Sequence, residues 1–459
     1  MNRFLTLLLI GCVGLISPTS AQQTNKLSKI PNISLNATGT REHSSISYLN
    51  IGLMTNVPFQ RGIGINVFSS VVQQKMTGLQ LSGLGNIVVY EANGIQIAGV
   101  VNASRDNSNG LHIAGLMNVA GNKLRGLHIS TFGNVGGRYL NGISIGGLIN
   151  MTGGTARALE IGGLANFVGE RQYGMAIAGL MNVSGDGLSG MQTAGLLNIS
   201  GNETKGVQIA GVGNISVNSH GMQIAGLSNV ATDMLKGVQI AGVTNIAVQG
   251  QNAFQISSIA NIAQQGMKGV QLGVANYAGN LTGAQVGILN LCGGDVKGVQ
   301  IGVINHSKDT TALKIGLVNV NPSTRIQVLT YGGNLSKFNL AVRFRNHSLY
   351  TMLGFGTHFL GLNEKFSGTL FYRAGTIYDL TQKLSISGDI GFYHIESFEN
   401  ENTEIPERMY SLQPRLNIEY AISKKFGLFL SGGYSWTRHY DKNKSFGNKA
   451  LLEFGVTLL

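Results

Sequence analysis

Cysteine, tryptophan, proline and charge are all scarce in this 459-residue chain, which has two Cys, one Trp, six Pro and 12% charged residues. Cys292 is the single cysteine beyond the amino-terminal stretch, so a chain processed there has no internal disulfide. The phase of Cys292 among its neighbours marks a small apolar filler rather than a nucleophile. The net charge of +12 is spread along the chain, and no basic cluster interleaves with aromatics. Nucleic acid therefore has little support as a partner. Aromatics are also few in the middle of the chain: residues 78–324 hold seven. What is abundant is glycine, at 66 residues. With so few prolines, that composition fits β-turn-rich repeats better than a disordered chain.

From Gly78 to about Asn319 one short unit recurs sixteen times, as in Gly206-Val207-Gln208-Ile209-Ala210-Gly211-Val212-Gly213-Asn214-Ile215. Its asparagines fall sixteen residues apart from Asn86 to Asn214, then at spacings of fourteen to sixteen through Asn229, Asn245, Asn261, Asn276, Asn290, Asn305 and Asn319. A fixed short period makes each unit one structural rung stacked on the next. The alternation Val207, Gln208, Ile209 indicates a short strand, and so many glycines would melt a helix at about 1 kcal/mol each. Two architectures suit sixteen residues. Stacked coils form a β-solenoid with like residues in ladders about 4.8 Å apart. Hairpins instead form the wall of a large membrane barrel, which needs strands of nine or more residues and aromatic girdles. Seven aromatics favour the solenoid. Amides both donate and accept, so an Asn ladder can satisfy itself from coil to coil at a tight corner.

The flanks differ from the repeats. Met1-Asn2-Arg3, an apolar run from Phe4 to Ile16, and Pro18-Thr19-Ser20-Ala21-Gln22 read as a signal peptide over 1–21. Leu9-Ile10-Gly11-Cys12 offers a rival, a lipobox-like site that would lipidate Cys12 but leave an unusually short apolar core. Residues 22–43 read as a polar linker, and 44–77 as degenerate repeats that cap the strand edge. After Pro322 the vocabulary changes, and residues 325–459 hold 22 aromatics. Eight alternating strands are predicted at about 325–333, 337–346, 348–359, 366–379, 383–395, 408–422, 425–438 and 448–459. In 410–422 one face is Tyr410, Leu412, Pro414, Leu416, Ile418, Tyr420 and Ile422; the other carries Gln413, Arg415, Asn417 and Glu419. An apolar face opposite Arg343, Arg345, Arg373, Asp389, Arg415, Glu419 and Glu453 fits an outer-membrane barrel with lipid outside and a polar interior. Short connections such as Asn346-His347-Ser348 alternate with long polar ones, as in such barrels. The expected fold class is all-β: a β-solenoid of ~16-residue repeats (78–324) followed by an antiparallel eight-stranded β-barrel (325–459).

The repeat units, Gly-apolar-Gln-apolar-(Ala/Gly)-Gly-apolar-x-Asn-apolar, resemble the bacterial surface-repeat proteins over about 50–320. The resemblance implies an envelope location and no established chemistry, so no catalytic, cofactor-binding or metal residue is carried over. Candidate sites in the repeats each meet a plainer reading. Gly142-Ile143-Ser144-Ile145-Gly146 matches the G-x-S-x-G nucleophile elbow, but Ser144 lies where other units have Gln, with no strand-to-helix context. His112 and His128 share one phase and form half a metal site at most, since Ser144 and then Glu160 follow; they are expected as a solvent-facing variant of the ladder. The row Gln192, Gln208, Gln223, Gln239, Gln255, Gln271, Gln285 and Gln300 is expected as a solvated polar face, with polysaccharide binding as its functional alternative. The expected role is a non-enzymatic, cell-surface repeat rod anchored in a Gram-negative outer membrane. Its expected partners are outer-membrane lipid and polysaccharide, peptidoglycan or surface proteins. The alternative is a permeability barrel with the repeats as accessory. Both a surface and a periplasmic location for the repeats stay open on the pattern.

Overall fold

The structure, a computed structural model, describes residues 31–41, 44–359, 367–398, 407–440 and 444–458. The proposed signal peptide and Cys12 lie outside the described residues. Every described element is a strand. They build a parallel β-solenoid followed by a closed, antiparallel eight-stranded barrel.

A solenoid coil is a triangle. In the coil after Asn198, a charged side carries Glu203-Thr204-Lys205 and a first apolar side Val207-Gln208-Ile209-Ala210. A second apolar side carries Gly213-Asn214-Ile215-Ser216. The first corner is Gly206, at φ 135°, and the second is Gly211-Val212. The corner expected around the asparagine thus falls just before that side begins. Coils pair in parallel and in phase: Gly190 with Gly206, Gln192 with Gln208, Asn198 with Asn214. Parallel pairing satisfies the backbone of each coil from its two neighbours, which is what permits a side only four residues long.

Which side chains point inward is the main correction to the sequence reading. Gln208, Ala210, Asn214 and Ser216 are buried, whereas Val207 and Ile209 are partly exposed and Val212 and Ile215 exposed. On these two sides the solenoid is polar within and apolar without, while the charged side turns an apolar row inward, including Met76, Leu124, Leu140, Leu188 and Leu235. Four-residue sides enclose little volume, and a layer of Gln, Asn, Ala and Ser fills it together with that apolar row, the amides meeting most of their hydrogen bonds along the ladders. A second correction concerns 22–43, read as a linker. It contains the strand Ile33–Arg41, which pairs antiparallel with the start of Ser44–Ser82. That later strand continues into the first regular coil, with Lys75 to Ser82 paired to Glu91 to Ala98.

The barrel strands are β1 Arg325–Gly333, β2 Asn339–Asn346, β3 Leu349–Gly356, β4 Ser367–Asp379, β5 Leu384–Ser397, β6 Arg408–Ser423, β7 Phe426–His439 and β8 Ser445–Leu458. β8 pairs with β1, Leu458 opposite Val328, and closes the sheet. The start of β1 pairs with the end of β2, Arg325 opposite Arg345, so the chain enters at the end that carries the tight turns. Outward residues are apolar, including Leu370, Ile390, Phe392, Leu416, Ile418 and Phe454. Inward residues include Arg343, Arg373, Asp389, Tyr393, Arg415 and Glu453, all buried.

The last coil meets the barrel's outer wall. Tyr372 Oη on β4 donates to Gly316 O (2.9 Å), Thr351 Oγ1 on β3 to Leu317 O (3.1 Å), and Asn346 Nδ2 to Asn319 O (2.9 Å). Each bond satisfies a carbonyl on the coil that has no further coil to pair with.

Candidate functional site: the two polar interiors

Inside the solenoid the amides form two ladders. Asn198 Nδ2 donates to Asn214 Oδ1 (2.9 Å) and to Ile209 O (2.7 Å), while Asn182 Nδ2 donates to Asn198 Oδ1 (3.0 Å). Gln208 Nε2 donates to Gln192 Oε1 (3.0 Å), and Gln223 Nε2 to Gln208 Oε1 (2.9 Å). The Asn ladder donates toward the carboxy terminus and the Gln ladder toward the amino terminus, so their amide dipoles oppose one another. All eight glutamines of the predicted polar face are buried. They are therefore no solvated face, and they offer no amide array to polysaccharide.

The Gln ladder breaks between Gln96 and Gln192, where His112, His128, Ser144, Glu160 and Ala176 occupy its phase. The two histidines stack as expected, ring centroids 5.0 Å apart, but they are buried rather than solvent-facing. His112 Nδ1 meets Gln96 Oε1 at 2.8 Å, whereas His128 has no hydrogen-bond partner among the described residues. Burial pushes His112 down to about 4 and, with His112 alongside, His128 down to about 3, so both rings are neutral at ordinary pH. Ser144 is buried and donates to Asn150 Oδ1 (2.8 Å), which fits a ladder residue and not a nucleophile's exposed elbow. Cys292 is buried, and burial raises its thiol pKa, in keeping with a filler. Among the described residues no group of three His, Cys, Asp or Glu gathers at metal-binding range.

Glu160 is the exception that sequence reasoning passed over. Its carboxyl is fully buried between Ser144 and Ala176, too short to reach it, and neither oxygen has a partner among the described residues. Burial alone raises its pKa to about 8. The signal was available: of the charged residues in the repeats, only Glu160 and Lys314 take the Gln phase. The unfolded chain loses this proton near 4.5 and the folded chain near 8, so the folded state binds more protons between those values. Stability therefore falls as pH rises through that window, by as much as about 1.4 kcal/mol per pH unit. Glu160→Gln is expected to abolish this slope and to stabilise the coils by up to about 3 kcal/mol near neutral pH. Hydrogen exchange of residues 144–176 at several pH values measures it; equal slopes in both proteins would refute the assignment.

The barrel interior holds a network of buried ion pairs. Arg343 grips Glu419 with both terminal nitrogens (2.6 and 2.8 Å) and reaches Gln327 through Nε (2.7 Å). Arg373 Nε donates to Asp389 Oδ1 (2.9 Å), and Asp389 Oδ2 also accepts from Tyr350 and Asn417. Arg415 pairs with Glu453 (3.1 Å), donates to Tyr393 and Gln413, and lies over the Tyr393 ring. Arg345 differs from the set in lying near the rim, mostly buried and paired to the half-exposed Asp379 (2.6 Å). Tyr331, Phe371, Tyr393 and Phe429 pack together across the remaining lumen. Eight strands leave a lumen that side chains can fill, and among the described residues they do so apart from a cavity of about 160 Å³ at the long-loop end, lined by His358, Ser435, Thr437 and Lys449.

No protein-family model matches the chain, and no curated protein matches it. Among solved structures, the chain is similar to a barrel from the de novo design of transmembrane β-barrels, at 15% identity and TM-score 0.20, over 30% of this chain and 95% of that one. It is also similar to the Neisserial surface protein A, NspA, at 13% identity and TM-score 0.21, over 29% of this chain and 93% of that one.

Proposed function

We propose that this is a non-enzymatic protein of the Gram-negative cell envelope, held in the outer membrane by its barrel, with the repeats as a scaffold for envelope partners. The observation that carries this reading is the barrel's inversion. Apolar Leu370, Ile390, Leu416 and Phe454 face out, while Arg343, Arg373, Asp389, Arg415 and Glu453 are buried inside. Only a nonpolar solvent makes that arrangement favourable, because a water-soluble sandwich would bury the opposite face. The repeats join at the tight-turn end, the periplasmic end of outer-membrane barrels, which supports exposure of their charged side to the periplasm rather than to the cell surface. Its contacts with peptidoglycan, other glycans or envelope proteins then belong to the charged side, where Arg157 lies over Tyr173 (5.0 Å) beside Arg171 and Glu203, and not to the buried Gln row.

The alternative, a permeability barrel, has the filled lumen against it. The purified full chain is expected to need detergent, to migrate faster on a gel before boiling than after, and to produce no ion channels in a planar bilayer. Steady single-channel conductance would transfer the function to the barrel. A chain that remains monomeric without detergent would remove the membrane reading.

A further inference from the structure

The exterior of the solenoid divides by side with few exceptions. Between Lys75 and Asp309 twelve Lys and Arg and eight Asp and Glu fall on the charged side or the corner that leads into it; only Glu160 is elsewhere. The corner row between the two apolar sides reads Leu84, Val100, Leu116, Phe132, Leu148, Leu164, Leu180, Leu196, Val212, Leu227, Val243 and Ile259, all exposed but Val100 and Val243, which are partly so. On the first apolar side Ile95, Ile143, Ile177 and Ile256 project, and on the second Ile215. Soluble monomers rarely expose a contiguous apolar patch beyond a few hundred Å², and two sides and a corner repeated from coil to coil are far larger.

We propose that these two apolar sides face the acyl chains of a lipid bilayer, with the charged side turned to the headgroups and water. Three observations select lipid as the occupant. First, the backbone is satisfied from coil to coil and the interior amides by their ladders, so apolar sides in contact with lipid leave few polar groups there unmet. Second, in the carboxy-terminal coils the apolar exterior continues onto the barrel's own apolar wall. Leu317 lines a cleft with Leu353, Phe355, Leu370, Tyr372 and Phe392. Ile288, Val303 and Ile315 on those coils are about half exposed. Third, Tyr372 touches Gly316 from a position seven residues short of Asp379, where β4 ends at the tight-turn rim. At about 3.3 Å per residue that is roughly 20 Å of strand, well inside the apolar belt if the barrel spans a bilayer. This last argument rests on the membrane reading of the barrel. The basic excess on the charged side matches the sign of anionic headgroups.

The test uses the full chain with Cys12→Ala and Cys292→Ala, reconstituted in phosphatidylethanolamine–phosphatidylglycerol vesicles. A fluorophore is placed on one new cysteine at a time: Leu196→Cys, Ile177→Cys, Lys205→Cys, or Ile418→Cys on the barrel wall. Each is quenched in turn by acyl-chain spin-labelled lipid and by a water-soluble nickel chelate. The gel shift on boiling certifies a folded barrel in every sample. Leu196 and Ile177 are expected to lose at least half their emission to the lipid label and little to nickel, with Lys205 the reverse. If nickel quenches Leu196 and Ile177, those sides face water and the proposal falls. If neither agent reaches them, protein covers them, a second copy above all, and it falls equally. Ile418 separates the readings: failure of lipid to quench it removes the membrane anchor, whatever the repeats report.

Discussion

Arg373→Met is expected to destabilise the barrel by about 3–5 kcal/mol, because it strands a buried carboxylate. Asp389 is buried and accepts from Arg373, Tyr350 and Asn417, and with the guanidinium gone no cation among the described residues is within bonding reach to replace it. The same argument makes Asp389→Asn costly alone. The double variant, Arg373→Met with Asp389→Asn, removes both charges together and is expected to recover most of the loss. A buried pair roughly breaks even against neutral groups of similar size, whereas half a pair does not. The non-additivity should therefore reach about 3 kcal/mol, at the upper end of what contacting residues display. Trp436, the only tryptophan, projects from the outer wall of β7 and reports unfolding in detergent through its fluorescence. A single variant within about 1 kcal/mol of wild type, or strict additivity in the double, would mean that the network does not hold the lumen together.

The two halves of the chain differ in how much of this is legible. Every barrel strand can be read from alternation, because β5 and β6 are long enough for period two to exclude a helix. The strand expected at 325–333 is Arg325–Gly333, and that expected at 383–395 is Leu384–Ser397. Inside and outside are legible there too, since Arg373 and Asp389 on one face and Leu370 and Ile390 on the other, with aromatics at strand ends, suit lipid. In the repeats alternation places Gln208 opposite Val207 and Ile209 but says nothing about which faces in. The usual expectation, apolar inside, is overridden by the size of the coil. The charged side already supplies an inward apolar row, Leu188 and Leu235 among it, and the space left holds Gln208, Ala210 and Asn214 with none for a further layer of Val and Ile. The charges held the clue. Lys205 and Glu203 flank Thr204 four residues before Gln208, and that distribution repeats along the chain, marking one side of a triangle as the wet one. The partnerless state of Glu160 was beyond reach, because it depends on Ser144 and Ala176 being neighbours across coils.

Gly206→Ala carries the second large effect, and it tests the triangle itself. Gly206 turns the chain from the charged side to the first apolar side at φ 135°, a conformation that side chains rarely adopt. An added Cβ would also lie 1.9 Å from Gly190 O in the coil before it. Neither problem has a cheap solution, since the obstructing atom is backbone and already fixed by the coils on either side. Strain of this kind costs about 1–3 kcal/mol by itself, and the clash adds to it. Ala158 supplies an internal contrast. It stands at the same phase, without a left-handed backbone, and the next coil answers with Gly174 at φ 103°, where a Cβ would lie 2.5 Å from Ala158 O. That coil thus turns its corner differently, as does the one that sets Ala253 opposite Gly237, and Ala158→Gly should cost under about 1 kcal/mol, the ordinary penalty of a glycine in a strand. Because each coil contacts only its neighbours, the damage from Gly206→Ala should stay local. Hydrogen exchange is expected to rise by at least tenfold in residues 187–225 and to hold steady in 100–150 and in the barrel. Unchanged exchange at 187–225 would mean that the corner tolerates a side chain, and the division between wet and apolar sides would then need a cause other than this glycine.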